Sequence, residues 1–329
     1  MKHLRLVFTF LSLLFSGLFS HAQKPAEPFA HTYSIVARDA KTGEMAVAVQ
    51  SHWFSVGSIV SWGKSGVGVV ATQSFVLPAY GPRGLALMEE GIEAVPALQQ
   101  LLGKDEGREI RQVSFLDAQG NTATHTGAKC IRYAGHYNEK DFSVQANMML
   151  TDKVVPAMAR AFKEHEALPL AERMVAVLEA AEKAGGDIRG SQSAALIVVG
   201  PTKVDNVWED HKINLRVDDH VKPVEELKRL LKVHRAYEHM NSGDVAVEHG
   251  DMEQALIDYG TAEAMFPDNL EMKYWKAVAL ASNNRLEEAM PIFKSVFMKD
   301  KHWRELTRRL PEAGLLNLSE LDMDRILGL

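Results

Sequence analysis

The sequence contains a single cysteine, Cys130, among its 329 residues. One cysteine excludes an intrachain disulfide, so the hydrophobic core must stabilise the fold alone. Within "GAKCIRYAG" we expect this thiol to be a small buried hydrophobe rather than a nucleophile, although His125 and His136 lie near it in sequence. The net charge of -6 provides no basic surface. We therefore predict no nucleic-acid partner.

Chemical motifs with a defined spacing are also missing. The sequence has no G-x-S-x-G elbow, no P-loop, no H-E-x-x-H and no dinucleotide fingerprint. Asp218, Asp219 and His220 are a candidate metal cluster, but neighbouring residues on a strand point to opposite faces. At most two of the three converge, so a solvated or salt-bridged turn is the favoured interpretation. We predict no metal and no cofactor.

A long hydrophobic run occurs at the N-terminus, where "LVFTFLSLLFSGLFS" follows the basic "MKHLR" and precedes "HAQ". This order predicts a secretory signal peptide over residues 1–22, cleaved after Ala22. An uncleaved anchor is the alternative, although the run is short for a membrane span. No later segment approaches membrane length, so we expect a soluble, exported protein, periplasmic or secreted. Residues 23–31 are interpreted as a leader or linker.

Residues 32–222 alternate short apolar strands and turns with a few helices, which favours an α+β domain of mainly antiparallel sheets covered by helices. "YSIVARD" and "MAVAVQS" predict a hairpin, and a second hairpin turns at 119–121. One helix is expected from Pro82, carrying apolar residues at helical spacing as far as Leu98. Two more helices are expected over 152–166 and 169–184, before strands at "SAALIVVG" and "HKINLRV".

The last hundred residues lack strand signals and contain an internal repeat. Four positions recur after 34 residues with the same kinds of side chain: Gly243, Gly250, Ala255 and Tyr259 correspond to Ala277, Asn284, Ala289 and Phe293. Small, turn, small and aromatic residues at this period are typical of tetratricopeptide repeats. Together with helices at 223–234 and 302–312, they predict an all-α, tetratricopeptide-like domain over 223–329. Such arrays bind peptides or partner proteins, although two repeats can also simply dock on the first domain.

Polar residues collect at the ends of the predicted strands. Most turn residues have only a structural role, but this concentration of amides and hydroxyls suggests a site. The set comprises Thr32, Ser34, Gln50, Ser51, Lys64, Gln73, His125, Asn147, Arg189, Gln192 and Ser193. Trp53, Phe54, Phe75 and Tyr80 could form an apolar wall beside it or belong to the core.

Several segments in order resemble the DUF1028 family: "TYSIVARDAKTGEMAVAVQSHWFSVGSIVSWGKSGVGVVATQS", "AYGPRGLALM", "HTGAKC", "VQANMML" and "GGDIRGSQSAALIVV". The resemblance covers about residues 31–230. It implies the four-layer α-β-β-α sandwich of the N-terminal-nucleophile (Ntn) hydrolases. It also implies Thr32 as the catalytic nucleophile, and Lys64 lies on a following strand where threonine hydrolases of this type can place a lysine. If the amine of Thr32 is not freed, His125 is the candidate for another base. Ser51, Gln73, Asn147, Arg189 and Ser193 are the expected substrate-binding residues.

In an Ntn hydrolase the free α-amine of the nucleophile serves as its general base, and a nearby cation lowers the pKa of that amine. Signal cleavage after Ala22 would leave "QKPAEPFAH" ahead of Thr32, so a second cut between His31 and Thr32 is required. Three functions therefore stay open. The first is an exported amidohydrolase of small amides or peptides with Thr32 as nucleophile. The others are a same-fold hydrolase that uses His125, and a non-catalytic binding module whose repeats recruit a protein partner.

Overall fold

The computed structural model describes residues 29–329, so the predicted signal peptide and most of the leader lie outside the described residues. Two antiparallel sheets, each covered by helices on one face, make up the first part of the chain. A set of antiparallel helices makes up the second. The predicted α+β, four-layer fold followed by a helical domain is confirmed.

The first sheet, sheet A, has five strands. They are β1 (Phe29–Ala30), β4 (Ser61–Lys64), β5 (Gly68–Phe75), β6 (Arg111–Asp117) and β7 (Thr122–Thr126). Their order is β1-β5-β6-β7, and β4 pairs with the opposite end of β5 from β1. Strand β1 was not predicted. Phe29 and Ala30, which belong to the predicted leader, therefore form a strand of the sheet.

The second sheet, sheet B, has six strands in the order β11-β10-β3-β2-β9-β8. They are β2 (Thr32–Arg38), β3 (Met45–Ser51), β8 (Gly135–Glu139), β9 (Phe142–Ala146), β10 (Ser193–Val199) and β11 (His211–Val217). His31 alone separates β1 from β2, so the chain crosses between the sheets at this residue. Thr32 pairs with Ser51, and Ser51 pairs with Ser193 on its other side.

Strand alternation sends every second side chain into the space between the sheets, where Val47 and Val49 pack against Val69 and Ala71. The outer face of sheet A is covered by α1 (Tyr80–Glu89) and α2 (Ala94–Leu102). The outer face of sheet B is covered by α3 (Val154–Glu164) and α4 (Leu170–Lys183). The single helix predicted from Pro82 to Leu98 is wrong, because Gly91 adopts a φ of +89° and ends the first helix.

Helix α5 (Pro223–Glu248) belongs to both halves of the molecule and is much longer than predicted. Its first turns, with Leu227 and Leu231, pack on sheet B, and its later turns, with Met240, pack on the next helix. The remaining helices are α6 (Met252–Met265), α7 (Leu270–Ser282), α8 (Leu286–Lys299), α9 (His302–Arg309) and α10 (Glu320–Leu327). Within residues 29–329, none of the helices combines the length and apolarity needed to cross a bilayer.

The 34-residue period corresponds to repeated helix hairpins. Gly250 and Asn284, which are one period apart, both end a helix with a positive φ, +75° and +59°. Gly243 lies against the ring of Tyr259, where a Cβ would come within 2.6 Å of a ring carbon. The small residue therefore allows the close helix contact that the repeat pattern predicts.

Candidate functional site

Thr32 lies at the start of β2 and is completely buried. Its hydroxyl donates to the carbonyl oxygen of Ala30 at 2.9 Å. Its own carbonyl accepts from the side-chain amide of Gln73 and the backbone N–H of Asn147, each at 3.1 Å. The residue is thus fixed at the seam between the two sheets, where β1 passes into β2.

The carbonyl of the His31–Thr32 peptide bond receives two side-chain donors. Ser51 Oγ donates to His31 O at 2.6 Å, and Arg189 Nη2 donates to the same oxygen at 2.8 Å. Ser51 reaches it because Ser51 is the register partner of Thr32 across β2 and β3. A hydroxyl and a guanidinium on one carbonyl oxygen polarise the bond that must be cut to free the amine of Thr32.

Arg189 is held in this position by Asp187, which sequence reasoning did not select. The two side chains form a forked ion pair, with Nε to Oδ1 at 3.0 Å and Nη2 to Oδ2 at 2.7 Å. The Asp187 side chain is fully buried, and its Oδ2 also accepts from the His52 N–H at 3.3 Å. The available signal was the D-x-R spacing in "GGDIRGSQS", which places both charges on one turn.

Arg189 places a cation beside the backbone nitrogen of Thr32, where a lysine was expected. An amide nitrogen lies within about 2.3 Å of its carbonyl oxygen, so the guanidinium is about 5 Å or less from the nitrogen of Thr32. A cation at this distance lowers the pKa of an amine, and the paired Asp187 offsets part of that effect. Lys64 lies elsewhere: it pairs with Gly68, about 17 Å along β5 from Gln73, and its ammonium bonds Glu89 at 2.7 Å.

A network of buried amides supports the site from between the sheets. Gln73 donates to Gln112 Oε1 at 2.7 Å, and Asn147 Nδ2 donates to the same oxygen at 2.9 Å. Ser34 donates to Gln73 Oε1 at 2.7 Å, so its hydroxyl bonds across from sheet B to sheet A. Gln112 was not predicted, because its position inside "RQVSF" resembles any strand residue. Buried amides of this kind rigidify a site only when they are satisfied.

The imidazole of His31 fills a closed pocket beside this network. Its Nδ1 lies 2.5 Å from Asn147 Oδ1, and its ring meets the ring of Phe75 edge to face, with centroids 6.0 Å apart. Burial lowers the pKa of His31 below its usual 6.5, and the hydrogen bond with Asn147 opposes that shift. The ring is therefore mainly neutral near pH 7.

Two other predicted residues do not join this cluster. His125 lies on the face of β7 that it shares with Ala123, a residue packed against the helices of sheet A, and its Nε2 bonds the carbonyl of Arg108 at 2.8 Å. Ser193 is buried next to Ser51, but its hydroxyl donates to the carbonyl of Trp53. It supports the loop after β3 rather than the His31–Thr32 bond.

The candidate metal cluster is a salt-bridged turn. Asp218 pairs with Arg216 at 3.0 Å, Asp219 accepts from Gln192 at 3.2 Å, and His220 Nδ1 accepts from a backbone N–H. Among residues 29–329, no three His, Cys, Asp or Glu side chains are grouped to hold a metal ion.

The thiol and the aromatic side chains that the sequence suggested are also placed differently with respect to the His31–Thr32 bond. Cys130 is half-buried, and burial raises the pKa of its thiol. Tyr80 packs in the helix layer of sheet A, and Phe54 is 64% exposed. Of the four aromatic residues proposed as a wall, Phe75 is the one whose ring contacts His31.

Comparison with known proteins gives two family matches. The profile described as "Family of unknown function (DUF1028)" matches residues 32–227, and a tetratricopeptide repeat profile matches residues 240–296. A crystal structure of protein SPO2555 from Silicibacter pomeroyi, described as a DUF1028 protein, is similar at a TM-score of 0.56 and 29% identity. The match covers 66% of this chain and 92% of that one. Comparison with curated proteins gave no match. The chain therefore belongs to the DUF1028 family and carries tetratricopeptide repeats after its family domain.

Proposed function

We propose that this protein is an amide-bond hydrolase of the N-terminal-nucleophile type, activated when the chain cuts its own His31–Thr32 bond. The observation that carries the proposal is the pair of donors, Ser51 and Arg189, on the His31 carbonyl oxygen. Attack on a carbonyl creates an oxyanion, and donors at hydrogen-bond distance from that oxygen stabilise it. The family match begins at Thr32, which agrees with a catalytic chain starting there.

The cut is an addition followed by hydrolysis. Thr32 Oγ adds to the carbonyl carbon of His31, and the negative charge develops on the oxygen bound by Ser51 and Arg189. The carbon–nitrogen bond then breaks, and the hydroxyl proton ends on the departing amine of Thr32. Water hydrolyses the resulting ester, which releases a carboxylate at His31 and regenerates the Thr32 hydroxyl.

The freed amine supplies the base for later turnovers. It lies beside its own hydroxyl, and the Arg189 cation favours its neutral form. A substrate amide whose carbonyl takes the place of the His31 carbonyl would meet the same two donors. The same oxyanion site would thus serve both activation and turnover.

Intact mass of the purified full-length protein tests this proposal. We expect a chain of residues 32–329 that hydrolyses peptide amides. Thr32→Ala should stay uncut and inactive, whereas Thr32→Ser should still cut itself and hydrolyse amides. His125→Ala serves as the control, because His125 faces away from the site. A protein that keeps residues 23–31 and still turns over amides would refute the amine-base mechanism, and loss of turnover in His125→Ala would favour the alternative hydrolase.

The repeats and the N-terminus complete the proposal. Tetratricopeptide repeats are typical of protein–protein interaction, and we propose that α5–α8 bind a protein partner.

The signal-like N-terminus supports export to the periplasm or outside the cell. Fractionation of the tagged protein, with N-terminal sequencing, tests the export.

A non-catalytic binding module is the second candidate. The observation in its favour is that β1 and His31 fill the site, which stays closed for as long as the peptide bond is intact. An uncut, inactive protein that retains a partner through its repeats would support this candidate.

A further inference from the structure

Residues 29–31 occupy the position that the proposed reaction gives to the acyl part of a substrate. His31 carries the carbonyl that Thr32 attacks. In every later substrate, the residue whose carbonyl is attacked would take the place of His31. We propose that the site hydrolyses peptides that bind as a strand beside β5 and present, at the attacked carbonyl, a neutral side chain that donates a hydrogen bond, such as histidine, glutamine or asparagine. This inference rests on the proposed function.

The strand part of the inference comes from β1. Phe29 and Ala30 pair with Phe75 and Ser74 along the edge of β5 that β4 leaves uncovered. Removal of the leader would expose this edge, and an exposed edge binds extended peptides through their backbone groups. Ser74, opposite Ala30, has a φ of +73°. Strained backbone of this kind occurs often at ligand sites.

The preceding residue of such a peptide must be small. Ala30 is fully buried and belongs to the hydrophobic cluster between the sheets, together with Val56 and Val76. A larger side chain there would have to displace packed neighbours, which a dense interior resists. The leader sequence Ala-His thus matches both positions of the site.

The amide network decides which polar atom faces the pocket that holds the His31 side chain. Gln112 Nε2 faces two backbone carbonyls, at 3.0 and 3.1 Å, which can only accept. Its Oε1 must then face Asn147, so Asn147 Nδ2 donates to it at 2.9 Å. That arrangement turns Asn147 Oδ1 toward the ring of His31, 2.5 Å from Nδ1. The pocket therefore offers an acceptor and requires a donor from the substrate.

Three considerations narrow the choice of side chain in this pocket. The Arg189 guanidinium bonds the neighbouring carbonyl, so a second cation in this buried pocket is disfavoured. An aliphatic side chain would leave the Asn147 oxygen buried without a partner, which costs about ten- to a hundredfold in reactivity. The edge-to-face contact with Phe75 favours a planar group.

Self-cleavage of full-length chains provides the first test. His31→Gln keeps a donor and His31→Leu lacks one, and neither change survives in the processed enzyme. We expect His31→Gln to be cut within a few-fold of the wild-type rate and His31→Leu to be cut at least about tenfold more slowly. Equal rates for Leu and Gln would overturn the inference.

The second test uses the self-processed wild-type enzyme with acetyl-Phe-Ala-Xaa-4-nitroanilides in which Xaa is His, Gln, Leu or Lys. We expect kcat/KM for His and Gln to exceed that for Leu and Lys by at least about tenfold. In Asn147→Leu this preference should fall to about one. Hydrolysis without any preference refutes the inference and leaves the proposed function intact. A chain that neither cuts itself nor hydrolyses any amide refutes both.

Discussion

Removal of one hydroxyl, in Ser51→Ala, tests the central geometric argument. The Ser51 hydroxyl and the Arg189 guanidinium both donate to the His31 oxygen, at 2.6 and 2.8 Å. Loss of one oxyanion donor typically lowers a rate 10²- to 10³-fold, about 3–4 kcal/mol of transition-state stabilisation. We expect self-cleavage of Ser51→Ala to slow by that factor, because Arg189 remains in place.

Arg189→Ala is a less selective test. It also leaves the buried carboxylate of Asp187 without its ion pair, and removing one partner of a buried pair costs about 3–5 kcal/mol of stability. Slow cleavage in that variant would result from the lost donor, from misfolding, or from both. Ser51→Ala removes a neutral hydroxyl and avoids this ambiguity.

The assay follows newly made full-length chains. Pulse-labelled protein from cell-free translation is sampled over time, and the fraction cut at His31–Thr32 is read from intact mass. Ser114→Ala is the matched control, since Ser114 is an equally buried strand serine whose hydroxyl bonds Thr124 at 2.8 Å. If Ser51→Ala folds and is cut as fast as Ser114→Ala, the oxyanion argument is refuted.

Three further predictions concern stability, each measured as the free energy of unfolding in urea. Gln112→Leu should destabilise the protein by about 3 kcal/mol, because it leaves several buried carbonyl, hydroxyl and amide groups without partners; a loss below about 1 kcal/mol would contradict the network. Gly243→Ala should destabilise the protein by about 1–2 kcal/mol, because the added Cβ would lie 2.6 Å from the Tyr259 ring. Gly260→Ala, which adds a Cβ in open space within α6, should instead stabilise the protein by about 0.5–1 kcal/mol. The same sign for both glycine changes would refute the contact. Burial lowers the pKa of His31, so the unfolded chain binds a proton there more readily, and the uncut protein should lose stability as the pH falls below about 6.5. With Thr32→Ala in both chains to keep them uncut, His31→Gln should remove that component of the pH dependence, and identical profiles would contradict it.

Local patterns were enough for much of the fold. Short apolar runs on either side of a turn predicted β2 and β3, and the helices expected over 152–166 and 169–184 lie at 154–164 and 170–183. The prediction failed where one residue changed the path. Gly91 breaks a helix whose apolar spacing continues through it, and α5 continues past its expected end because packing on both halves stabilises it.

Predicting the site required knowledge of strand pairing, which predicting the individual helices and strands did not. Thr32 was selected by resemblance, Lys64 by an analogy of spacing and His125 as a substitute base, and the last two lie away from His31. Lys64 is several residues along β5 from the seam, and His125 is on the outer face of its strand. A shift of one residue along a strand reverses the face, so small errors in register misplace a side chain completely.

Sequence alone determined the kinds of element, the 34-residue helical repeat and the dependence on a core without disulfides, because these follow from nearest-neighbour periodicity and composition. Tertiary structure decided which polar groups meet at the His31–Thr32 bond. Arg189 lies 158 positions from His31 in sequence, and Ser51 lies 20 positions away. They converge because β3 lies between β2 and β10, with Thr32, Ser51 and Ser193 in register. That register is set by the packing of both sheets, which no local pattern encodes.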